Sequence, residues 1–554
     1  MQKSKLSSIF IYSYIALPFI VFASGFLKWY FALPVTLAVI LSVLFAWDES
    51  EGLYKLPFNK KDALKVFTGL VFIVAMVLLS GIGNVLWQNN DHATRNTLFN
   101  ILSNYTWPPT YITDAGNEVG IVYYIGFWLP SALIAKLTSL DFGYIFQIIW
   151  ATSGLLILWY LLCLMHKRVV IYPIVIFLFF GGMDIIGNGI IRMLFTSLTT
   201  MQKGVWAFPG GSSLTTHIEW WANYYQYSSH TTQLFWVFNQ CIPVWIATVL
   251  LIIEKNNKNL VFIMGLTLLS STLPFVGLIP VFLWCAFCDH EAGYLNRPFT
   301  KDFKKSFLSL FTIQNVIGGG LSGIISFLYL IGNIATANTQ SSQKSAAAEA
   351  GVTEVFSPAM FVFILFIAVT FYMVVTANSK RKPVHAFFII PLVILAFFLA
   401  KTHGAKLELY FLFILLEFIV LVCIIYPAHK GSSLLFIATA CLLIIPFFKV
   451  GKSIDFCMRA SIPLLVVLCL FAIKAVDKYF AEQRQILATL LCVVLMLGAM
   501  TPVKEIARTV EATAIEIQTK GKVENDNKTE HQVFGGKNFT GRTEGNLFFE
   551  IFAK

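Results

Sequence analysis

The chain has 554 residues, of which 57% are hydrophobic and 12% are charged. Soluble domains carry about 25% charged residues, so this composition excludes an ordinary water-soluble protein and predicts an integral membrane protein. The formal net charge of +11 comes mainly from Lys and Arg in short joints between apolar blocks. Such joints orient membrane helices, and we therefore expect no nucleic-acid partner.

Most of the apolar blocks are long enough to cross ~30 Å of hydrocarbon as a helix. They predict an all-α fold, a polytopic transmembrane helical bundle of about 13–15 spans whose outward loops carry short juxtamembrane helices. The predicted spans are 9–26, 30–47, 66–86, 143–165, 170–183, 233–253, 260–273, 274–288, 308–333, 358–377, 386–400, 407–426, 432–448, 461–476 and 485–500. Residues 119–137 are also apolar, but counting them as a span would place the basic residues 166–168 outside, so we predict a tilted, re-entrant or interfacial segment.

The basic joints predict the orientation. By the positive-inside rule they face the cytoplasm, together with the N-terminus. Lys3 and Lys5 precede the apolar residues 9–25, as in a signal peptide. The next apolar block follows almost at once, however, which predicts an uncleaved first span.

The polar sequence outside the spans predicts the domain organisation. Residues 1–500 form the membrane domain, with 87–142 and 184–232 as its main outward loops, and loops of this kind carry function. Residues 501–554 form an outward C-terminal tail. An amphipathic stretch near 503–518 predicts that this tail docks on the membrane domain.

The first candidate site follows the third predicted span. Asp91, His92, Arg95 and Asn96 place an acid beside a cation and an amide at the membrane surface. Such a group can bind and activate a polar acceptor. The alternative is an ordinary solvated loop.

The second candidate site lies in the 184–232 loop, where aromatic rings alternate with hydrogen-bonding groups. Flat rings and polar groups are what a sugar-binding surface requires, although an interfacial aromatic belt has the same composition. The side chains concerned are Asp184, His217, Glu219, Trp220, Trp221 and Tyr227. His217 and Glu219 have the chemistry of metal ligands, but the sequence shows no third ligand and leaves a divalent metal as an open alternative.

Outward cations form the third candidate site. Asp455 and Arg459 lie in a short joint between two predicted spans, where Arg459 can bind a phosphate or form a structural pair with Asp455. Lys401 and His403 lie in another such joint, where they can hold a diphosphate or snorkel from adjacent helix ends. Glu417 falls inside a predicted span, which indicates either transport or a protonated structural group.

The position of Asp91 in the first large outward loop resembles the GT-C superfamily of membrane glycosyltransferases. Members of that superfamily place a catalytic acid in this loop and take sugar from a polyprenyl-phosphate carrier. The remaining motifs resemble a group of bacterial polytopic membrane proteins within it: Trp107-Pro108, Tyr123-Tyr124, Leu129-Pro130, Met183-Asp184, the 217–221 block and the 455–463 joint. The chain departs from the superfamily pattern because Asp91 follows the third predicted span, whereas the usual catalytic loop follows the first.

The resemblance implies an inverting transfer of sugar from a polyprenyl-phosphate-linked donor to a glycan or lipid acceptor outside the bacterial plasma membrane. Asp91 would be the general base, Asp184 would orient it or another loop group, and Arg459 would stabilise the leaving phosphate. His217, Glu219 and the tryptophans would position a sugar. Two alternatives stay open: a transporter or flippase of lipid-linked or anionic cargo, and a polysaccharide polymerase or ligase of another fold.

Overall fold

The computed structural model describes residues 4–113, 116–194, 217–222, 224–333, 406–448, 454–525, 527–536 and 538–554. Within these ranges the regular structure is helical apart from one small sheet, which confirms the predicted all-α polytopic class. Before residue 334 the helices are α1 (Lys5–Phe26), α2 (Trp29–Glu49), α3 (Lys60–Leu79), α4 (Asn90–Asn104), α5 (Leu129–Leu137), α6 (Leu140–His166), α7 (Tyr172–Leu178), α8 (Asp184–Leu194), α9 (His230–Ile253), α10 (Leu260–Leu268), α11 (Thr272–Phe287), α12 (Phe303–Leu308) and α13 (Gly320–Leu330). After residue 405 they are α14 (Lys406–Ile414), α15 (Val420–Ile425), α16 (Ser433–Ile444), α17 (Asp455–Ala460), α18 (Ile462–Ala481), α19 (Gln485–Gly498), α20 (Met500–Lys520) and α21 (Glu530–Phe534).

Eight helical segments of the described chain are long and apolar enough to cross a membrane. They are Lys5–Phe26, Trp29–Glu49, Lys60–Leu79, Leu140–His166, His230–Ile253, Leu409–Ala428, Asp455–Ala481 and Gln485–Lys520. Shorter apolar helices occur at Gly126–Leu137, Thr272–Phe287, Gln314–Leu330 and Ser433–Phe447. The chain is therefore an integral membrane protein. The predicted spans 358–377 and 386–400 lie outside the described residues.

Two predicted spans differ from the structure. Within 170–183 only the seven residues of α7 are helical, and the chain then runs without helix to α8. In this non-helical stretch the chain packs closely against its neighbours, since a Cβ atom on Gly181 would lie 3.0 Å from the carbonyl oxygen of Gly498. The predicted 308–333 helix begins only at Gln314, with a π-helical turn over Gln314–Gly319 that leads into α13.

Residues 119–137 do not form a helix long enough to span. They contain most of strand β2 (Glu118–Ile121), then a 3-10 turn, then the nine residues of α5. The 260–288 run forms two helices, α10 and α11, as predicted. The break between them lies at residues 269–271, a few residues before the predicted boundary between 273 and 274.

The C-terminal segment packs on one end of the bundle. Strands β1 (Thr110–Ile112), β2 and β3 (Thr540–Arg542) form an antiparallel sheet in that order, so the tail pairs with the 87–142 loop. At the same end, the backbone N–H of Lys28 between α1 and α2 donates to the carbonyl of Phe552 at 2.8 Å. We call this the sheet end of the molecule.

The other end is fixed by a buried carboxylate. Glu254, directly after α9, accepts hydrogen bonds from the Tyr12 hydroxyl at 2.7 Å and the Ser50 hydroxyl at 2.5 Å. The backbone N–H of Gly52 also donates to it at 3.4 Å. These contacts tie α1, α2 and α9 together, so that α9 runs from this end of the bundle to the sheet end.

Candidate functional site

A cavity of about 400 Å³ opens at the start of α9. Five of the site residues predicted from the sequence line this cavity: Asp91, His217, Trp220, Asp455 and Arg459. Helix α9 is broken at this point, since Val237 has φ of −142° and ψ of 36°. The break places Trp236 and Val237 in the lining.

Asp91, Asp455 and Arg459 form what we call the charged wall. Asp91 lies in the first turn of α4, whose N-cap Asn89 accepts a hydrogen bond from the Asp91 N–H at 3.1 Å. A carboxylate is stabilised at this end of a helix by the exposed N–H groups. Its Oδ2 atom pairs with Nη2 of Arg95 at 3.0 Å, and 48% of the Asp91 side chain stays exposed. Asp91 is therefore held in position and open to a ligand.

Arg459 is the cation of the charged wall. Its Nη1 donates to the Tyr124 hydroxyl at 2.9 Å, and its Nη2 lies 3.6 Å from Oδ1 of Asp455. Only 13% of the side chain is exposed, and Nε is buried with no hydrogen-bond partner among the described residues. The hydroxyls of Tyr123 and Tyr124 are hydrogen-bonded to each other. The pairing with Asp455 agrees with the structural alternative, yet it leaves part of the guanidinium unsatisfied.

Other residues that line the cavity form what we call the aromatic wall, and they carry rings, amides or hydroxyls. It consists of His217, Trp220, Tyr225, Gln226, Ser228, Thr232, Gln233 and Trp236. The His217 ring lies between two indoles, 4.8 Å from that of Trp220 and 4.4 Å from that of Trp236. Trp220 is 41% exposed. This wall offers flat apolar faces beside polar groups.

One ring nitrogen of His217 is hydrogen-bonded, and the other lies close to a carboxylate. Nη1 of Arg508 donates to Nε2 at 3.0 Å, and Nδ1 lies 3.1 Å from Oε1 of Glu505. Because arginine can only donate, Nε2 accepts, and the ring proton must be on Nδ1. His217 is therefore a neutral, fixed ring. Nε2 is occupied by Arg508, and Nδ1 is buried beside Glu505.

Glu505 and Arg508 are site-forming residues that were missed from the sequence. They lie three residues apart on α20, form an ion pair, and are 2% and 3% exposed in their side chains. Oε2 of Glu505 also accepts from Nε1 of Trp236 at 2.9 Å. Both residues fall inside the amphipathic 503–518 stretch. The sequence feature that could have identified them is an acidic and a basic residue three positions apart on the inward face of this helix.

Glu219 lies behind the aromatic wall and not in the lining. It accepts from Nε2 of Gln226 and from the N–H of Ser229, both at 2.8 Å. Burial, with a smaller contribution from nearby Asp184, raises the pKa of Glu219 to about 8. The two candidate metal ligands, His217 and Glu219, therefore form hydrogen bonds with different protein groups. No group of three or more His, Cys, Asp or Glu suited to a metal occurs in the described part of the chain.

Asp184 also lies away from the cavity lining. It accepts from Nε1 of Trp221 at 3.0 Å and from the Thr501 hydroxyl at 2.9 Å, and it is 1% exposed. Burial raises the pKa of the Asp184 carboxyl. The Tyr227 hydroxyl donates to the carbonyl of Leu442. Asp184, Trp221 and Tyr227 therefore join elements of the bundle and have no exposed polar group for a substrate.

His92 and Asn96 point into the protein from α4. Nε2 of His92 bonds the carbonyl of Phe235 at 3.0 Å, and burial lowers the pKa of His92 to about 3. Nδ2 of Asn96 donates to Oε1 of Gln88 at 2.7 Å. Their contacts position α4, and with it Asp91. Lys401 and His403 lie outside the described residues.

Glu417 was the main argument for transport. It lies in a π-helical turn over Leu415–Ile419, is 6% exposed, and packs against Gly182. It does not line the cavity at the sheet end. Its burial and its packing agree with the structural alternative.

No protein-family model, curated protein or solved structure matches this chain. The cavity's own chemistry is therefore what indicates function.

Proposed function

We propose that this protein is a membrane glycosyltransferase that moves a sugar from a polyprenyl-phosphate-linked donor to a glycan or lipid acceptor. One observation carries the proposal: a half-exposed carboxylate, Asp91, and a largely buried cation, Arg459, line the same cavity as two tryptophans. A base, an anion-binding group and flat rings are the three components that such a transfer requires.

In the proposed reaction the acceptor hydroxyl attacks the anomeric carbon of the donor sugar. The bond from that carbon to the phosphate oxygen breaks, and the phosphate leaves with the electron pair. Asp91 takes the acceptor proton as general base, and attack from the side opposite the phosphate inverts the anomeric centre. Arg95 holds the Asp91 carboxylate in place through their 3.0 Å contact.

Arg459 stabilises the charge on the departing phosphate. Its Nε has no partner among the described residues, and its contacts to Tyr124 and Asp455 fix the plane of the guanidinium. A fixed donor aimed at developing charge needs no rearrangement during the reaction.

The location of the cavity suits a lipid carrier. Asp455 and Arg459 lie at the start of the apolar segment Asp455–Ala481, so a phosphate bound there keeps its hydrocarbon tail beside the bundle. The carrier is then concentrated in two dimensions. We place the sheet end outside the bacterial plasma membrane and the N-terminus in the cytoplasm, because the basic joints favour that orientation.

Transfer by the Asp91→Asn variant tests the proposal. Purified protein is incubated with a panel of polyprenyl-phosphate sugars and candidate acceptors, and transfer is compared with that of wild type and Asp141→Asn. Asp141 is a matched control, because it is exposed in the first turn of α6 and does not line the cavity. We expect Asp91→Asn to lose about 10²–10⁴-fold in rate and the control to keep wild-type activity.

Folding of each variant is checked by its thermal unfolding profile. Equal transfer by wild type and well-folded Asp91→Asn would contradict the proposal and favour a polymerase or ligase that depends on Arg459 alone. Absence of transfer with every donor would favour the transporter alternative.

A further inference from the structure

The aromatic wall presents no charge to a ligand. Its histidine, His217, is neutral because Arg508 donates to Nε2. Glu505 and Arg508, which lie behind the wall, are paired with each other. The remaining described members of the wall are tryptophan, tyrosine, glutamine, serine and threonine. A charged group placed against this wall would lose its water without gaining a counterion.

Gln226 offers a hydrogen-bond acceptor, but no free donor, to a ligand at this wall. Its Nε2 donates to Oε2 of Glu219 at 2.8 Å and to the Ser228 hydroxyl at 3.2 Å, so both amide hydrogens are used. Its Oε1 is buried without a partner among the described residues. Gln226 can therefore accept a hydrogen bond from a ligand but has no donor left for one.

Gln233, on the same wall, differs from Gln226. Its Nε2 donates to the carbonyl of Ser228 at 2.7 Å, and its Oε1 accepts from Nε1 of Trp245 at 3.0 Å. The side-chain carbonyl of Gln233 is thus hydrogen-bonded within the protein, whereas that of Gln226 has no partner among the described residues. Trp220 lines the same cavity and is 41% exposed, so its indole is available to stack on the C–H face of a ring.

We infer that the aromatic wall binds an uncharged sugar ring, which stacks on Trp220 and donates a hydroxyl hydrogen bond to Oε1 of Gln226. The inference rests on the proposed function, which supplies the role of the sugar in the reaction. It narrows the substrate class to uncharged sugars, N-acetylated ones included, and excludes uronic acids and sugars with a free amine. The charged wall of the same cavity takes the phosphate.

Binding without turnover tests this inference separately from transfer. Saturation-transfer difference NMR is recorded on the full chain in nanodiscs, with neutral methyl glycosides and the matched uronic acid and amine derivatives. We expect ring-proton signals from at least one neutral glycoside and about tenfold weaker binding in Trp220→Ala and Gln226→Ala. Trp29→Ala is the matched control, because Trp29 is 76% exposed on α2 and is not in the cavity.

The inference is overturned if no glycoside gives a signal that depends on Trp220, or if the uronic acid binds as well as its neutral parent. Either result can occur while lipid-linked sugar is still transferred, so this failure is distinguishable from failure of the proposed function. Displacement of the glycoside by a lipid-linked sugar, but not by the bare lipid phosphate, assigns the ring to the donor. If neither lipid displaces the glycoside, the bound ring is assigned to the acceptor. Either assignment supports sugar binding at the aromatic wall.

Discussion

Replacing Glu505 by glutamine removes the charge that organises the aromatic wall. In the wild-type protein this carboxylate contacts His217, Trp236 and Arg508, and all but 2% of its side chain is buried. The variant keeps the shape of the side chain and one carbonyl oxygen. It leaves the buried Arg508 cation without its ion-pair partner.

Removing one partner of a buried ion pair costs about 3–5 kcal/mol in the free energy of unfolding, because the remaining charge has lost its compensation. We expect Glu505→Gln to fall in this range. The double variant Glu505→Gln with Arg508→Met removes both charges, and we expect it to recover at least about 1 kcal/mol relative to Glu505→Gln. Glu511→Gln, on the exposed face of the same helix, should stay within about 0.5 kcal/mol of wild type.

Equilibrium unfolding in mixed detergent micelles measures these differences. Sugar transfer by the same proteins adds a second readout, since a loosened Trp236 and His217 should raise KM more than they lower kcat. The reasoning is refuted if Glu505→Gln is as stable as Glu511→Gln, or if the double variant is no more stable than Glu505→Gln.

Three further predictions concern single positions. Arg459→Lys should transfer sugar at least about tenfold more slowly than wild type, because lysine cannot bond Tyr124 and a phosphate in one plane, and steady-state kinetics at saturating acceptor measures this. Since the pKa of Glu219 is raised in the folded state, its contribution to stability is present below pH ~4.5 and is lost as the pH rises towards about 8. The stability of the wild-type protein should therefore fall over this pH window. Thermal unfolding measures this slope, which Glu219→Gln should flatten. Gly182→Ala should destabilise the protein by about 1–3 kcal/mol, because its Cβ would lie 3.0 Å from Cα of Glu417; wild-type stability in the same unfolding assay would refute this packing.

The sequence predicted the helical class and the end of the bundle where polar groups gather. The length and hydrophobicity of a segment are almost sufficient to predict a membrane helix, since the backbone in hydrocarbon must satisfy its hydrogen bonds internally. Asp91, Trp220 and Arg459 were found because each lies in a polar segment beside a predicted span. That they line one cavity depends on long-range packing, which no local pattern contains.

Some predicted site residues lie away from the cavity for physical reasons. The sequence predicts His92 and Asn96 as ligand-binding because they are polar and close to Asp91, but α4 turns them into the protein, where they form hydrogen bonds with other buried groups. Glu505 and Arg508 were missed because a charged pair on an amphipathic helix usually faces water. Here the pair is buried behind an aromatic wall that comes from a distant part of the chain.

The anomeric configuration of the product tests the central claim most directly. A polyprenyl-phosphate sugar of known configuration is incubated with the purified protein and acceptor, and the new linkage is identified by NMR. Direct attack assisted by Asp91 predicts a product of the opposite configuration, formed by wild type and lost in Asp91→Asn. A product with retained configuration, or no product from any lipid-linked donor, would contradict the account.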